Sequence, residues 1–206
     1  MEKIILASAS PRRKELMTMA GLAFDVIVSD CEENITYEGP EDMVKKLSLL
    51  KAKDVADKIR QTETDPHLVI GADTIVFFHD QILGKPKNTE DAFCMLKEMS
   101  GNIHTVYTGV TIIDTASDRT NTFYEETKVE FYDVTDEEIR SYIATGDPMD
   151  KAGSYGVQGR GCFLVKKIEA MDSLQMFNFV PFQQLLVPMI CVFAGTGFVV
   201  GVLGSW

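Results

Sequence analysis

A chain of 206 residues, 45% hydrophobic and 25% charged, has the composition of an ordinary globular protein with room for one good core. A formal net charge of −11 excludes a nucleic-acid binder that works through a broad basic face, so any anionic ligand must be held by local cations. The four cysteines, Cys31, Cys94, Cys162 and Cys191, form neither a CxxC pair nor a disulfide framework and read as free thiols of a reducing cytosol. The opening MEKIILAS is too short for a secretory signal and has no cleavage site, which makes the cytoplasm the expected location.

In chain order, Ile4–Ala7 reads as a buried strand that stops at Ser8-Ala9-Ser10-Pro11. A helix is expected from Arg12 to Ala20, with Ser10 as its N-cap and Pro11 at the first helical position. Phe24–Val28 is a second strand, followed by the acidic turn Asp30-Cys31-Glu32-Glu33. From Pro40 to about Arg60, Met43, Leu47, Leu50, Val55 and Ile59 recur at helical spacing. Leu68–Ile70 reads as a short strand running into Gly71-Ala72-Asp73-Thr74, and Ile75–Phe78 with Ile82–Leu83 as a hairpin. Asn88–Met99 is helical, and Thr105–Ile113 and Asn121–Tyr132 are two longer strands joined by the turn Thr115–Arg119. Thr135 caps a helix from Asp136 to Thr145, which Gly146-Asp147-Pro148 breaks, and Cys162–Ile168 is the last clear strand. This mixture of strands and helices predicts an α/β fold with a mixed sheet.

Chemistry concentrates at a few places. Ser8, Ser10, Arg12, Arg13 and Lys14 set hydroxyls, free backbone N–H groups and cations at the mouth of a helix, where positive charge opposes the dipole and a compensating anion is expected. Asp73, just past an apolar strand, suits a metal ligand or a base for water, or simply closes a turn. Glu33 can share a divalent ion with Asp73, since hard oxygen ligands suit the Mg²⁺ that accompanies a triphosphate; its plain alternative is a solvated loop acid. Lys51, Lys53, Lys85 and Lys151 are candidate phosphate clamps or ordinary surface lysines. The loop from Asp150 to Gly161 carries four glycines and Gln158, whose amide can meet a base edge, or else it is a simple connection. His67, His79 and His104 have no metal-type spacing.

Taken in order, Ser8-Ala9-Ser10-Pro11-Arg12-Arg13, Gly71-Ala72-Asp73-Thr74, Gly84-Lys85-Pro86, Ser100-Gly101, Phe123-Tyr124-Glu125-Glu126-Thr127 and the run from Asp150 to Gly159 closely resemble the Maf family of nucleoside triphosphate pyrophosphatases. The resemblance implies a fold like that of Maf and inosine-triphosphate pyrophosphatases: a long mixed sheet, two lobes, a central cleft for the nucleotide, and commonly a homodimer. It implies Asp73 as catalytic proton acceptor, with Glu33, Ser8, Ser10, Arg13, Lys51 and Lys85 set around the phosphates and a divalent cation (Mg²⁺ or Mn²⁺), Glu33 and Asp73 facing the ion; Lys151 stays a candidate phosphate contact. Arg12, Thr74 and Gln158 stand where the family's branches differ and resemble the branch that cleaves dTTP and UTP; the branch acting on 7-methyl-GTP carries Trp, Gln and Glu there. The implied role is removal of unwanted nucleotides from the pool. The alternative is a non-catalytic nucleotide-binding regulator associated with cell division, against which the intact Asp73 argues.

The likeness runs to about Ile168, so the sequence divides into a Maf-like domain, residues 1–168, and a divergent apolar tail, residues 169–206. Leu185 to Leu203 is uncharged and roughly long enough to cross a bilayer, which leaves a membrane anchor open. Pro188, Gly195, Gly197 and Gly201 and the lack of flanking basic residues weigh against an anchor. A buried or dimer-forming segment and an altered terminus are the other readings, the last being preferred.

Overall fold

The computed structural model describes residues 3–170; the expectations for the tail lie outside the described residues. The strands β1 (Lys3–Leu6), β2 (Phe24–Val26), β3 (His67–Phe78), β4 (Gln81–Leu83), β5 (Ile103–Asp114), β6 (Thr120–Phe131) and β7 (Val165–Ala170) form one sheet. Its order is β2-β1-β3-β5-β6-β7, with β4 paired to β3. β1 is parallel to both β2 and β3, whereas β3–β4 and β6–β7 are antiparallel, so the expected mixed α/β sheet is what forms. The helices are α1 (Pro11–Met19), α2 (Pro40–Thr62), α3 (Thr89–Met99) and α4 (Asp136–Ile143). None is long and apolar enough to cross a membrane among the described residues.

The described residues fall into two compact units, 3–73 with 108–125, and 74–107 with 126–170; β3, β5 and β6 contribute residues to both. In the first unit the period-two alternation of the strands sorts side chains to two faces. Ile4, Leu6, Leu68, Ile70 and Ala72 pack with Met17 of α1, while Ile5, Ala7 and Val69 pack with Ala52, Val55, Ala56 and Ile59 of α2. Each fully buried Val, Leu or Ile stabilises the fold by roughly 1.5–3 kcal/mol, so α2 is held mainly by this stripe. Pro40 at its start, Glu41 and Asp42 in its first turn and Arg60 in its last fit the dipole.

The α2 backbone lies directly on the sheet. A Cβ at Gly71 would sit 2.4 Å from the Ser48 carbonyl oxygen and 2.7 Å from the Ala52 nitrogen; one at Gly109 would sit 2.1 Å from the Val44 carbonyl oxygen. Val44, Ser48 and Ala52, four residues apart, make the helix stripe that meets these two glycines. Ser48 Oγ donates to the Lys45 carbonyl and bonds Thr111 Oγ1, each at 2.9 Å, and Thr111 Oγ1 bonds Thr122 Oγ1 at 2.9 Å. This hydroxyl ladder satisfies polar atoms that the close approach has buried.

In the second unit, Val76, Phe78, Leu96, Met99, Val129, Phe131, Ile139 and Tyr155 form the core. Asn88 accepts the Asp91 N–H at 2.9 Å, and Thr135 with Glu138 completes a capping box at α4. His104 is buried, with Nε2 2.7 Å from the Tyr155 hydroxyl and Phe131 edge-on at 4.8 Å. Burial pushes its pKa down to about 4.

Five expectations are corrected. Leu68–Ile70 and Ile75–Phe78 belong to one twelve-residue strand, β3, because Gly71 there serves close packing under α2 and makes no turn. Ser10 occupies the N-cap position, but its side chain makes no capping bond. The final strand begins at Val165, after a 3₁₀ turn over Arg160–Leu164, so Cys162 lies outside it. The second strand stops at Val26, and the last helix at Ile143.

Candidate active site

In the first unit, α1 brings three basic residues, Arg12, Arg13 and Lys14, into its first turn, with no acidic residue there. Ser8, buried at the end of β1, accepts a bond from Arg13 Nη1 at 2.9 Å and one from the Ser10 N–H at 3.3 Å. Arg13 also lines a small hollow with Leu6, Leu16, Met17, Ile70 and Ala72. Those apolar neighbours desolvate the guanidinium and lower its pKa, against the opposing pull of the Asp73 charge. Arg12 Nη2 is buried and has no hydrogen-bond partner among the described residues. A buried donor left without a partner on a cation is costly, and an anion would offset both it and the uncompensated helix dipole.

Asp73 lies within β3 on the face that carries Gly71 and meets α2. Lys51, three residues past Ser48 on α2, donates from Nζ to Asp73 Oδ1 at 2.5 Å and stands 2.9 Å from Glu33 Oε1. The Lys51 and Asp73 side chains keep 18% and 15% of their exposure and Glu33 keeps 52%, so the cluster is reachable from solvent on the Glu33 side. Burial would lower the Lys51 pKa, but the charges and hydrogen bonds of Asp73 and Glu33 outweigh it and raise it, so the ammonium stays protonated. The first unit thus brings together Ser8, Ser10, Arg13, Lys51, Glu33 and Asp73, while Lys53 is exposed on α2.

The second unit carries Thr74, Lys85, Lys151 and Gln158. Thr74 directly follows Asp73 along β3. Lys85 is exposed and makes no ion pair among the described residues; its neighbour Gly84 accepts the Gly153 N–H at 3.0 Å, which ties the two loops together. Lys151 Nζ is engaged by the Asp147 carbonyl, by Asp147 Oδ1 at 2.9 Å and by Asp150 Oδ1 at 2.6 Å. Gln158 Oε1 is buried and has no hydrogen-bond partner among the described residues. The segment from Asp147 to Leu164 contains three short 3₁₀ turns, and Gly153, Ser154 and Tyr155 within it are buried.

Sequence reasoning missed Ser48, Gly109, Thr111 and Thr122, which seat the helix that carries Lys51. The available signal was the run of small residues Ser48, Ala52 and Ala56, four apart, beside the larger apolar residues of the helix.

An α/β scaffold that gathers arginines at a helix N-terminus, with a carboxylate held by lysine on the next strand of the sheet, has the parts of a phosphate-handling protein. The family model described as Maf-like protein matches residues 3–174, and the chain belongs to that family. It is similar to a dTTP/UTP pyrophosphatase of Bacillus cereus (strain ZK / E33L), 53% identical over 170 residues that cover 82% of this chain and 85% of that one. The dTTP/UTP pyrophosphatase of Bacillus anthracis is 52% identical with the same coverage. A nucleoside-triphosphatase, dITP/XTP pyrophosphatase, of Mycobacterium abscessus overlays with a TM-score of 0.37 at 10% identity, covering 64% of this chain and 75% of its own, which is too loose to bear on the fold.

Proposed function

We propose that the chain is a nucleoside triphosphate pyrophosphatase that hydrolyses dTTP and UTP to the monophosphate and pyrophosphate. Membership of the Maf family and about half of all aligned positions shared with two dTTP/UTP pyrophosphatases support the reading. The single structural observation that carries it is the pairing of Asp73 with Lys51, in the same unit as the Ser8–Arg13 seat and coupled electrostatically to Arg13.

The helix N-terminus with Arg12 and Arg13 receives the phosphates, the buried Arg12 donor and the α1 dipole both gaining a counter-charge. Asp73 orients a water and takes its proton; the water oxygen bonds phosphorus at the α–β bridge, the bridging P–O bond breaks, and pyrophosphate leaves. Arg13 and Lys51 offset the charge that gathers on the departing group. Within the second unit, the buried Gln158 Oε1 offers an acceptor to a pyrimidine N–H.

A divalent cation, Mg²⁺ or Mn²⁺, fits the donor set. Glu33 and Asp73 are hard carboxylate ligands whose oxygens converge on one point, at present filled by the Lys51 ammonium. No group of three or more His, Cys, Asp or Glu surrounds that point among the described residues, as suits an ion whose remaining ligands are water and substrate phosphate. When bound, the ion supplies charge neutralisation of the triphosphate and polarisation of the attacked phosphoryl group. The reading includes a cytoplasmic homodimer and no nucleic-acid partner, in keeping with the charge of −11.

The test is pyrophosphate release from dTTP, UTP and 7-methyl-GTP with Mg²⁺ or Mn²⁺. The expected outcome is cleavage of the two pyrimidine nucleotides well ahead of 7-methyl-GTP. Nucleotide binding without release from any of them would favour the regulator.

A further inference from the structure

We propose that Lys51 is a tethered counter-cation that fills the divalent-metal position in the nucleotide-free protein, so that the metal enters only together with the triphosphate. The proposal rests on the reading of Glu33 and Asp73 as the metal-facing carboxylates.

Three observations lead to it. Glu33 and Asp73 are far apart in sequence and unconnected by any local motif, yet both carboxylates approach one nitrogen, at 2.9 Å and 2.5 Å. An ion bound by the same two oxygens at about 2.0–2.1 Å would need the space that nitrogen occupies, so ammonium and metal exclude each other. The ammonium is also delivered by a helix that cannot drift, because the α2 backbone is pressed onto Gly71 and Gly109 and pinned by the Ser48–Thr111 bond. Only the flexible four-carbon stem can swing Lys51 away.

Charge supplies the direction of the exchange. Arg13 and Lys51 already balance Glu33 and Asp73, so a bare divalent ion would add two unbalanced positive charges to a partly desolvated cluster. A nucleoside triphosphate brings the missing anions. Its phosphate oxygens give the Lys51 ammonium a new partner, and the freed carboxylates accept the metal that travels with the phosphates.

The experiment measures Mn²⁺ binding to the full chain without nucleotide, by calorimetry and by the loss of the free-ion EPR signal. Lys51→Gln and Lys51→Met, the second retaining the apolar stem and serving if the first folds poorly by circular dichroism, should bind Mn²⁺ at least tenfold more tightly than the wild type. Lys51→Arg, which keeps the charge, should stay near the wild-type value. Unchanged or weaker binding by both neutral variants overturns the proposal and leaves the role of Asp73 in hydrolysis untouched. Adding Asp73→Asn to Lys51→Gln should abolish the gained affinity; a gain that survives places the ion elsewhere and overturns the metal-site reading as well.

Discussion

Lys51 Nζ and Asp73 Oδ1 lie 2.5 Å apart because α2, which carries the lysine, rests backbone-to-backbone on the strand that carries the aspartate. The contact depends on an absence of side chain at Gly71 and Gly109, so the distance is set by backbone packing next to the two charged groups: Gly71 is two residues from Asp73 and meets the Ala52 nitrogen that follows Lys51.

Gly109→Ala should therefore destabilise the protein by about 3 kcal/mol, since the new methyl meets the Val44 carbonyl of a helix that cannot give way. Gly71→Ala should behave similarly. Denaturant melts measure the stability, and steady-state kinetics on the folded fraction should show kcat falling further than binding, because the strain under α2 misplaces Lys51 for the departing phosphates.

Arg12→Ala should leave the free protein as stable as before or raise its stability by a few tenths of a kcal/mol. The substitution removes an unpaired buried donor and a cation that opposes the α1 dipole. The same change should raise KM for dTTP roughly tenfold or more, the loss of one charge-assisted phosphate contact. Thermal melts with and without added pyrophosphate separate the two effects: pyrophosphate should raise the wild-type Tm more than that of the variant.

His104 makes the fold acid-sensitive. Its folded pKa of about 4 lies below the ordinary 6.5, so the unfolded chain takes up the proton first. Its contribution is intact above pH 6.5 and is lost as the pH falls from there towards 4, a loss on the order of 2–3 kcal/mol by pH 4.5. Phe78, Phe131 and Tyr155 face the ring and offer no anion to hold a charged imidazole. Urea titrations at pH 7 and pH 4.5 should show the wild type losing more stability than His104→Phe, whatever their difference at neutral pH.

What could be read from the chain follows the range of the forces involved. Helices α3 and α4 were legible because Asn88, Thr135 and Glu138 act within one turn of themselves. The Ser8–Arg13 seat was legible for the same reason: a proline, hydroxyls and cations stand together in sequence. Gly71 and Asp73 read as turn residues, and the uninterrupted β3 escaped notice, because the partner that requires a glycine there is the α2 backbone more than twenty residues earlier. The Glu33–Lys51–Asp73 junction and the Ser48–Thr111–Thr122 ladder likewise arise only when distant segments pack. The engagement of Lys151 by Asp147 and Asp150 is local, but a turn with several acids and one lysine does not reveal from its letters which carboxylate turns inward.

The most direct test of the central claim is Asp73→Asn, assayed for both dTTP binding by calorimetry and pyrophosphate release under saturating Mg²⁺ or Mn²⁺. Removal of the proton acceptor should lower kcat by about 10²–10⁴-fold while the nucleotide still binds through the α1 arginines. A variant that turns over dTTP at the wild-type rate would contradict the assignment of the chemistry to this carboxylate.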